Sequence, residues 1–187
     1  MNPIPDQELM ADVRRGNVAR LAELFERHHR RLHGFFARLT GDRGAAEDLV
    51  QEVFVRVLKY RRSYRAEAPF LPWLFALARN AASDHARRRV EPIGTRADAD
   101  LLTTDELPAE ERLAHEAATR RLDAALARLS PEKREALVLA RFAELPYEHV
   151  GVILGVSVGA VKVRVHRAMS ELRALYFDGS KENGHDL

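Results

Sequence analysis

The sequence of 187 residues contains no cysteine. This absence excludes disulfide bonds, thiol nucleophiles and thiolate metal sites, and it fits a reducing compartment. Residues 1–6 contain neither a basic segment nor an apolar stretch, so we predict no signal peptide. No apolar run approaches the roughly 20 residues that a membrane span needs. We therefore expect a cytoplasmic protein that does not insert into a membrane.

Signatures of catalysis are also lacking. There is no glycine-rich phosphate loop followed by lysine. His29 and His33 are four residues apart and could share a metal ion, but no suitable third ligand accompanies them. Two polar residues on a solvated helix face are the ordinary explanation of that spacing. We predict that the protein is not an enzyme and that it has no catalytic residue, no metal site and no cofactor.

The sequence contains no convincing β-strand, and helical periodicity dominates. From Leu21 to Leu39 the apolar residues recur at steps of three and four, which is the spacing of one buried helix stripe. A second helix is predicted from about Ala45 to Tyr60. A third is predicted to begin near Pro72, where proline is tolerated in the first turn, and to end in the basic run 87–89.

Helix resumes near Ala109 and continues to Leu129. Ser130 and Pro131 then form a start signal, in which a capping hydroxyl precedes a proline at the first helical position. We predict that this helix ends at about residue 143, that a short helix spans 147–154, and that a last helix reaches about residue 175. Residues 178–187 are interpreted as a polar, frayed tail.

Charge is distributed unevenly along the chain. Residues 1–90 contain 17 Lys and Arg against 11 Asp and Glu, whereas residues 91–120 contain 3 against 8 and residues 121–175 contain 9 against 6. Basic blocks of this kind attract nucleic acid or are simply solvated helix faces. Pro, Gly and Asp punctuate residues 90–108, which indicates a flexible acidic linker. We therefore predict an all-α protein with two small helical domains, a helical bundle at 1–89 and a helix-turn-helix domain at 109–177.

Residues 146–173 have the pattern of a helix-turn-helix: a short helix, a glycine turn at Gly155, a serine cap at Ser157 and a longer basic helix. In such a motif the second helix enters the major groove with its first turn nearest the bases. Gly159 permits close backbone approach there. The outer face carries charge from Lys162, Arg164, His166 and Arg167. A surface helix of an ordinary bundle is the competing interpretation.

The helix at 45–60 has an acidic face. Asp48, Gln51, Glu52 and Val55 lie at i, i+3, i+4 and i+7 and so form one exposed stripe. An acidic stripe repels DNA and suits a protein partner, although an ordinary solvated helix face is the better explanation when the stripe is considered alone.

Residues 60–89 combine aromatic and basic side chains. Aromatic rings stack on unpaired bases and cations follow phosphates, which suits single-stranded nucleic acid. Asn80 could read a base edge with two hydrogen bonds. The competing interpretation is that Phe70, Trp73 and Phe75 belong to the core, since Leu74 and Phe75 cannot both be exposed. The candidates are Tyr60, Arg61, Arg62, Tyr64, Arg65, Phe70, Trp73, Phe75, Arg79, Asn80, Arg87 and Arg88.

Together these blocks resemble the extracytoplasmic-function (ECF) sigma factors of the bacterial sigma-70 family. The resemblance covers about residues 9–90 and 110–175. In the first block it depends on residues 46–54 (AEDLVQEVF) and on residues 72–80 (PWLFALARN) followed by Asp84. In the second block it depends on residues 129–131 (LSP), 147–148 (YE), 154–157 (LGVS), 159–164 (GAVKVR) and 167–168 (RA).

The resemblance implies a factor that binds RNA polymerase core enzyme, directs it to promoter DNA, melts that DNA and is held inactive by an anti-sigma factor. It implies that residues 1–89 form sigma region 2 and residues 109–177 form sigma region 4. The implied polymerase-binding residues are Asp48, Gln51, Glu52 and Val55. The implied −10 element residues are Tyr60, Arg61, Arg62, Tyr64, Trp73, Arg79, Asn80, Asp84, Arg87 and Arg88. The implied −35 element residues are Tyr147, Ser157, Gly159, Ala160, Lys162, Arg164, His166 and Arg167.

The sequence departs from the family at two positions of the last helix. Ala160 stands where the family often has a hydroxyl residue, and Val163 stands where it often has serine. These departures put one or two phosphate contacts in doubt. The alternative function is a dimeric helix-turn-helix transcriptional regulator that acts without core polymerase. Such a regulator would bind duplex DNA by itself and would need neither the acidic stripe nor the aromatic and basic segment.

Overall fold

The computed structural model describes residues 3–89 and 108–182. Within those ranges every regular element is helical, so the predicted all-α class is confirmed. The elements are α1 (Asp6–Arg15), α2 (Arg20–Thr40), α3 (Arg43–Tyr60), a 3-10 turn (Arg61–Ser63), α4 (Phe70–Arg89), α5 (Ala109–Arg128), α6 (Pro131–Leu137), a π-helical continuation of α6 (Val138–Phe142), α7 (Tyr147–Leu154) and α8 (Val158–Glu182).

Two helix ends show why the chain turns where it does. Helix α2 ends at Gly41, whose φ of 71° lies in the left-handed region that glycine adopts without strain. Asp42 then caps α3, because its carboxylate accepts a hydrogen bond from the Ala45 amide at 3.0 Å. Gly41 and Asp42 together reverse the chain, so that α2 and α3 pack side by side.

The core of the N-terminal block, residues 3–89, is formed by the apolar stripes of α1 to α4. The His28 side chain is buried with them, and its Nε2 lies 2.8 Å from Asp6 Oδ2. Arg27 donates a hydrogen bond to the other Asp6 oxygen at 2.8 Å, and this bond links α2 to α1. Hydrogen bonding to His28 lowers the pKa of Asp6 below its ordinary value, with Arg27 contributing in the same direction. Helix α1 was not predicted, because its short pattern precedes the strong periodicity of α2.

The C-terminal block, residues 108–182, packs α6 and α7 against α8, and the buried side of α8 consists of Val161, Val165, Ala168 and Leu172. Pro131 occupies the first turn of α6 as predicted, but the Ser130 side chain makes no capping hydrogen bond. The expectation of a capping hydroxyl there was wrong. The Ser130 backbone carbonyl accepts the first helical hydrogen bond, from the Arg134 amide at 2.9 Å, as it would with or without a side-chain cap.

The two blocks contact each other, chiefly through α4 with α7 and through α2 with the π-helical segment. Arginines supply most of the polar contacts across this junction. These contacts include Arg79 Nε to Glu135 Oε1 at 2.7 Å, Arg31 Nη2 to the Glu144 carbonyl at 3.2 Å, Arg134 Nη1 to the Leu39 carbonyl at 3.3 Å, and Arg38 over the Phe142 ring at 4.4 Å.

Two boundaries differ from the predicted ones. Helix α4 begins at Phe70 rather than near Pro72, and α8 continues to Glu182, well past residue 175. The first part of the predicted polar tail is therefore helical. The acidic linker predicted at 90–108 lies outside the described residues except for Pro108.

Candidate polymerase and nucleic-acid interfaces

The predicted polymerase-binding stripe lies on one side of α3. Asp48, Gln51 and Val55 are exposed there, and Val55 is 63% exposed although it is apolar. Glu52 is half-buried, because its carboxylate accepts hydrogen bonds from Arg56 and, at 3.2 Å, from Arg88. The four residues thus lie on one side of α3. Three of them are exposed, whereas Glu52 is held by hydrogen bonds to two arginines.

An ion network joins α3 to the C-terminal half of α4. Arg56 is its centre, bonded to Glu52 on its own helix and to Asp84 on α4 at 2.8 Å. Arg87 donates to the other Asp84 oxygen at 2.6 Å. Hydrogen bonds from Arg56 and then Arg87 lower the pKa of Asp84. One network therefore contains a residue predicted to bind the polymerase, Glu52, and three predicted to bind the −10 element, Asp84, Arg87 and Arg88. The sequence spacing alone did not reveal this network.

Tyr64 is a correction to the predicted −10 surface. Its ring is 1% exposed, it packs against Trp73 and Phe70, and its hydroxyl donates to the Ala68 carbonyl at 2.7 Å. Burial raises the pKa of this hydroxyl. A ring in this position has no free face for a base, so the expectation that Tyr64 stacks on DNA was wrong.

The other predicted −10 residues have mixed surroundings. Trp73 is half-buried, and Leu74 and Phe75 are both core residues. Arg61 is half-buried and donates to the Leu58 carbonyl at 2.7 Å. Arg79 is bonded to Glu135 across the junction between the blocks. The exposed members are Tyr60, Arg62, Asn80, Arg87 and Arg88.

Helices α7 and α8 form the predicted helix-turn-helix and meet at an angle of 99°. Gly155 has a φ of 67°, and Ser157 caps α8 by accepting the Ala160 amide at 3.2 Å. A third residue, Gly151, keeps the turn tight, since a Cβ there would lie 2.9 Å from the Val156 carbonyl oxygen. The sequence indicated the glycine turn and the serine cap but not the role of Gly151.

The predicted −35 residues follow the outer side of this motif. Ser157, Gly159, Lys162, His166 and Arg167 are exposed, whereas Tyr147 and Ala160 are half-buried. Arg164 is turned towards α6, with its guanidinium 3.9 Å from the Glu132 carboxylate.

A cleft of about 630 Å³ lies beside these residues. Both of the arginines that line it, Arg141 and Arg173, were not among the predicted residues. The helical spacing offered a signal for Arg173, which lies seven residues after His166, but Arg141 reaches the cleft only through the tertiary fold. The described side chains lining the cleft include no carboxylate; they are Arg141, Tyr147, Lys162, Val165, His166, Met169, Ser170 and Arg173.

Neither a metal centre nor a membrane span is found in the ranges that the structure describes. No cluster of three or more His, Asp or Glu there could hold a metal ion. His29 instead stacks on Phe25, with ring centroids 5.1 Å apart, and its Nδ1 lies 3.0 Å from the Phe25 carbonyl. No single helix of 3–89 or 108–182 is long and apolar enough to cross a membrane; α7 and α8 meet that criterion only as a pair bent by 99°.

Comparison with known proteins matches both blocks. Residues 24–91 match Sigma-70 region 2, and residues 119–172 match Sigma-70, region 4. The chain is 36% identical over 168 residues to the RNA polymerase sigma factor CarQ of Myxococcus xanthus, covering 89% of this chain and 94% of that protein. It is 32% identical to the ECF RNA polymerase sigma factor SigM of Bacillus subtilis, covering 84% of this chain and 95% of that protein.

Solved structures agree with the fold. CnrH, solved in complex with the cytosolic domain of CnrY, superposes with a TM-score of 0.71 at 25% identity, covering 91% of this chain and 96% of CnrH. The sigma factor RpoE of Bartonella quintana, solved with the anti-sigma factor NepR, superposes with a TM-score of 0.66 at 24% identity, covering 82% of this chain and 94% of that protein. With two matching family regions in the predicted order and relatives covered over most of their length, this chain is a member of the ECF sigma factors of the sigma-70 family.

Proposed function

We propose that this sigma factor binds RNA polymerase core enzyme through α3 and directs it to a promoter through two DNA surfaces, one on each block. Residues 1–89 act as sigma region 2 and residues 109–177 as sigma region 4. The observation that carries the proposal is the outer side of α8, where exposed cations follow a tight, capped turn in helix-turn-helix geometry.

The polymerase contact is assigned to Asp48, Gln51 and Val55. These residues combine an exposed acid, an amide and an apolar side chain on one helix face, which suits a protein surface better than DNA. Glu52 supports the surface through its bonds to Arg56 and Arg88.

The −10 element is assigned to exposed side chains at the end of α3 and on α4. Tyr60, 42% exposed, offers a ring for stacking, and Asn80 offers an amide for a base edge. Arg79 reaches DNA only by exchanging the Glu135 carboxylate for a phosphate.

The −35 element is assigned to α8 and the cleft beside it. Lys162, His166 and Arg167 face outward with Ser157 and Gly159 at the helix start, and Arg141 and Arg173 extend the cationic surface. Clustered cations of this kind bind phosphates and release counterions.

The protein partners follow from the family. Two proteins similar in fold have been solved with a bound partner, CnrH with the cytosolic domain of CnrY and the sigma factor RpoE with the anti-sigma factor NepR. We assign an anti-sigma partner to this chain and place its activity in the cytoplasm, where core polymerase is found. The alternative, a dimeric regulator that acts without polymerase, is not favoured, because the relatives reported above are RNA polymerase sigma factors.

Gel filtration of the purified chain with bacterial core RNA polymerase tests this function. We expect the chain to co-elute with the polymerase, and we expect Asp48→Arg to abolish or strongly weaken co-elution because it reverses the charge of the exposed stripe. Glu52→Arg is a poorer probe, since it would also break the ion network.

The matched control is Asp178→Arg, the same charge reversal at an exposed carboxylate on α8. This variant should co-elute like the wild type. A wild-type chain that elutes separately from core polymerase and binds duplex DNA alone as a dimer would contradict the proposal. Equal co-elution of wild type and Asp48→Arg would contradict the assignment to α3.

A further inference from the structure

The side of α8 that faces away from the core has an apolar residue at its centre. Successive helix residues are separated by about 100°, so Val163 lies about 200° from both Val161 and Val165. Those two valines are buried against α6 and α7. Val163 therefore points directly away from the core, and its side chain is 48% exposed.

Neither packing nor helix formation explains a valine at this position. The core stripe of α8 is complete without Val163. A β-branched residue also favours a helix less than lysine, arginine or alanine does. The neighbouring residues one turn away on the same face are small or polar: Gly159 and Ala160 before it, His166 and Arg167 after it.

We propose that Val163 recognises the methyl group of a thymine in the −35 duplex, an inference that rests on the function proposed above. The thymine C5-methyl is the apolar group that a base pair presents in the major groove, and apolar side chains read it by contact.

The position of Val163 along the helix suits this role. It lies six residues after the Ser157 cap, or about 9 Å along the helix axis, within the part of a recognition helix that meets base edges. Gly159 and Ala160 in the preceding turn place no long side chain between the helix and the floor of the groove. Arg167 in the next turn supplies charge that holds the helix against phosphates, and the His166 ring beside it can form a hydrogen bond to one.

The test removes single methyl groups from the DNA. The full-length chain, bound to core polymerase, selects its −35 element from a library of randomised duplexes. Each thymine of the selected element is then replaced by deoxyuridine, one at a time and on either strand, which removes only the methyl group. We expect one position at which the wild-type holoenzyme loses about fourfold in affinity, the value of one buried methyl.

Two variants identify the residue responsible. Val163→Ser should bind the thymine and deoxyuridine promoters equally, because it lacks both valine methyls. Val152→Ser is the matched control: Val152 is a 72% exposed valine on α7, and this variant should keep the full deoxyuridine penalty. Both substitutions lie outside the core, and circular dichroism verifies that both variants fold.

The outcomes separate the inference from the function. A deoxyuridine penalty that persists in Val163→Ser, or the absence of any penalty in the wild type, overturns the inference while leaving the sigma factor intact. A wild-type chain that co-elutes with core polymerase but selects no sequence, or that fails to co-elute, overturns the proposed function and the inference together.

Discussion

On the N-terminal block, arginines of the candidate DNA surface are bonded to carboxylates, Arg87 to Asp84 and Arg88 to Glu52. On the C-terminal block, Lys162 and His166 line a cleft in which the described side chains offer no carboxylate. Before Arg87 or Arg88 can bind a phosphate it must give up a carboxylate, whereas Lys162 in the cleft has no carboxylate among the described residues to give up and exchanges water and counterions.

This difference separates stability from binding. Paired charges stabilise the fold, and binding DNA stabilises them little further. Clustered like charges repel one another in the free protein, and a bound polyanion removes that repulsion. We therefore expect changes in the N-terminal network to alter unfolding first, and changes at the cleft to alter DNA binding first.

The largest effect is expected for Tyr64→Ala. Removing this buried ring should lower the free energy of unfolding by about 3–5 kcal/mol, the usual cost of truncating a core aromatic residue. Urea denaturation measures the change. Tyr64→Phe, which loses only the bond to Ala68, should cost about 1 kcal/mol and leave promoter opening unchanged. A stable Tyr64→Ala protein that cannot open promoters would restore Tyr64 to the DNA surface.

Arg56→Ala should have the next largest effect. It leaves Glu52 and Asp84 without their shared cation, and we expect a loss of roughly 1–2 kcal/mol in unfolding free energy. The control, Arg62→Ala, removes an exposed arginine on the same block and should change stability by less than about 0.5 kcal/mol. Equal losses in the two variants would show that the network contributes nothing beyond an ordinary surface arginine.

The double variant Arg141→Ala/Arg173→Ala should change binding without changing stability. Each lost phosphate contact lowers the slope of log affinity against log salt by about 1, so the slope for −35 duplex binding should fall by about 2. Binding of the holoenzyme, measured from low to physiological salt, provides the slope. Arg128→Ala, an exposed arginine of α5 outside the cleft, is the control and should keep the wild-type slope.

The smallest effect concerns pH. The pKa of Asp84 is lowered by Arg56 and Arg87, so its ionised form stabilises the fold above the ordinary aspartate pKa of about 4, and this contribution is lost as the pH falls through the lowered value. Asp84→Asn should therefore lower Tm at pH 7, and its difference from the wild type should shrink below pH 4. The control, Asp48→Asn, changes an exposed aspartate outside the network and should leave Tm at pH 7 unchanged.

The same two blocks show how far the sequence could be read. Helix α7 was predicted at its observed bounds, because the glycine turn and the serine cap are local signals within a few residues. The network around Arg56 was not predicted, since Asp84 is 28 residues away along the chain and only the packing of α3 on α4 brings the two together. Tyr64 was misassigned because the sequence around an aromatic residue among arginines does not show whether its ring faces the solvent or the core.

The contacts between the two blocks could not be predicted from the sequence either. Arg79 has the spacing of an exposed residue on α4, and nothing in the sequence indicates Glu135 as its partner 56 residues later. Local periodicity predicts which face of a helix is apolar, but it does not predict which charged neighbour from another helix will occupy the polar face.

The close contact at Gly151 has a mechanical consequence. Helix α8 has 25 residues, is about 37 Å long and begins next to the turn that this glycine keeps tight. A small rotation of the helix about that turn therefore moves its C-terminal end much further than its first turns. A rotation of about 10° would displace Val163 by about 1.5 Å but Phe177 by about 5 Å. The C-terminal part of the helix is held by Lys133 bonded to Glu171 and by Arg121 over the Tyr176 ring. These contacts near the C-terminal end of α8 therefore also fix the orientation of its first turns, which we propose enter the major groove.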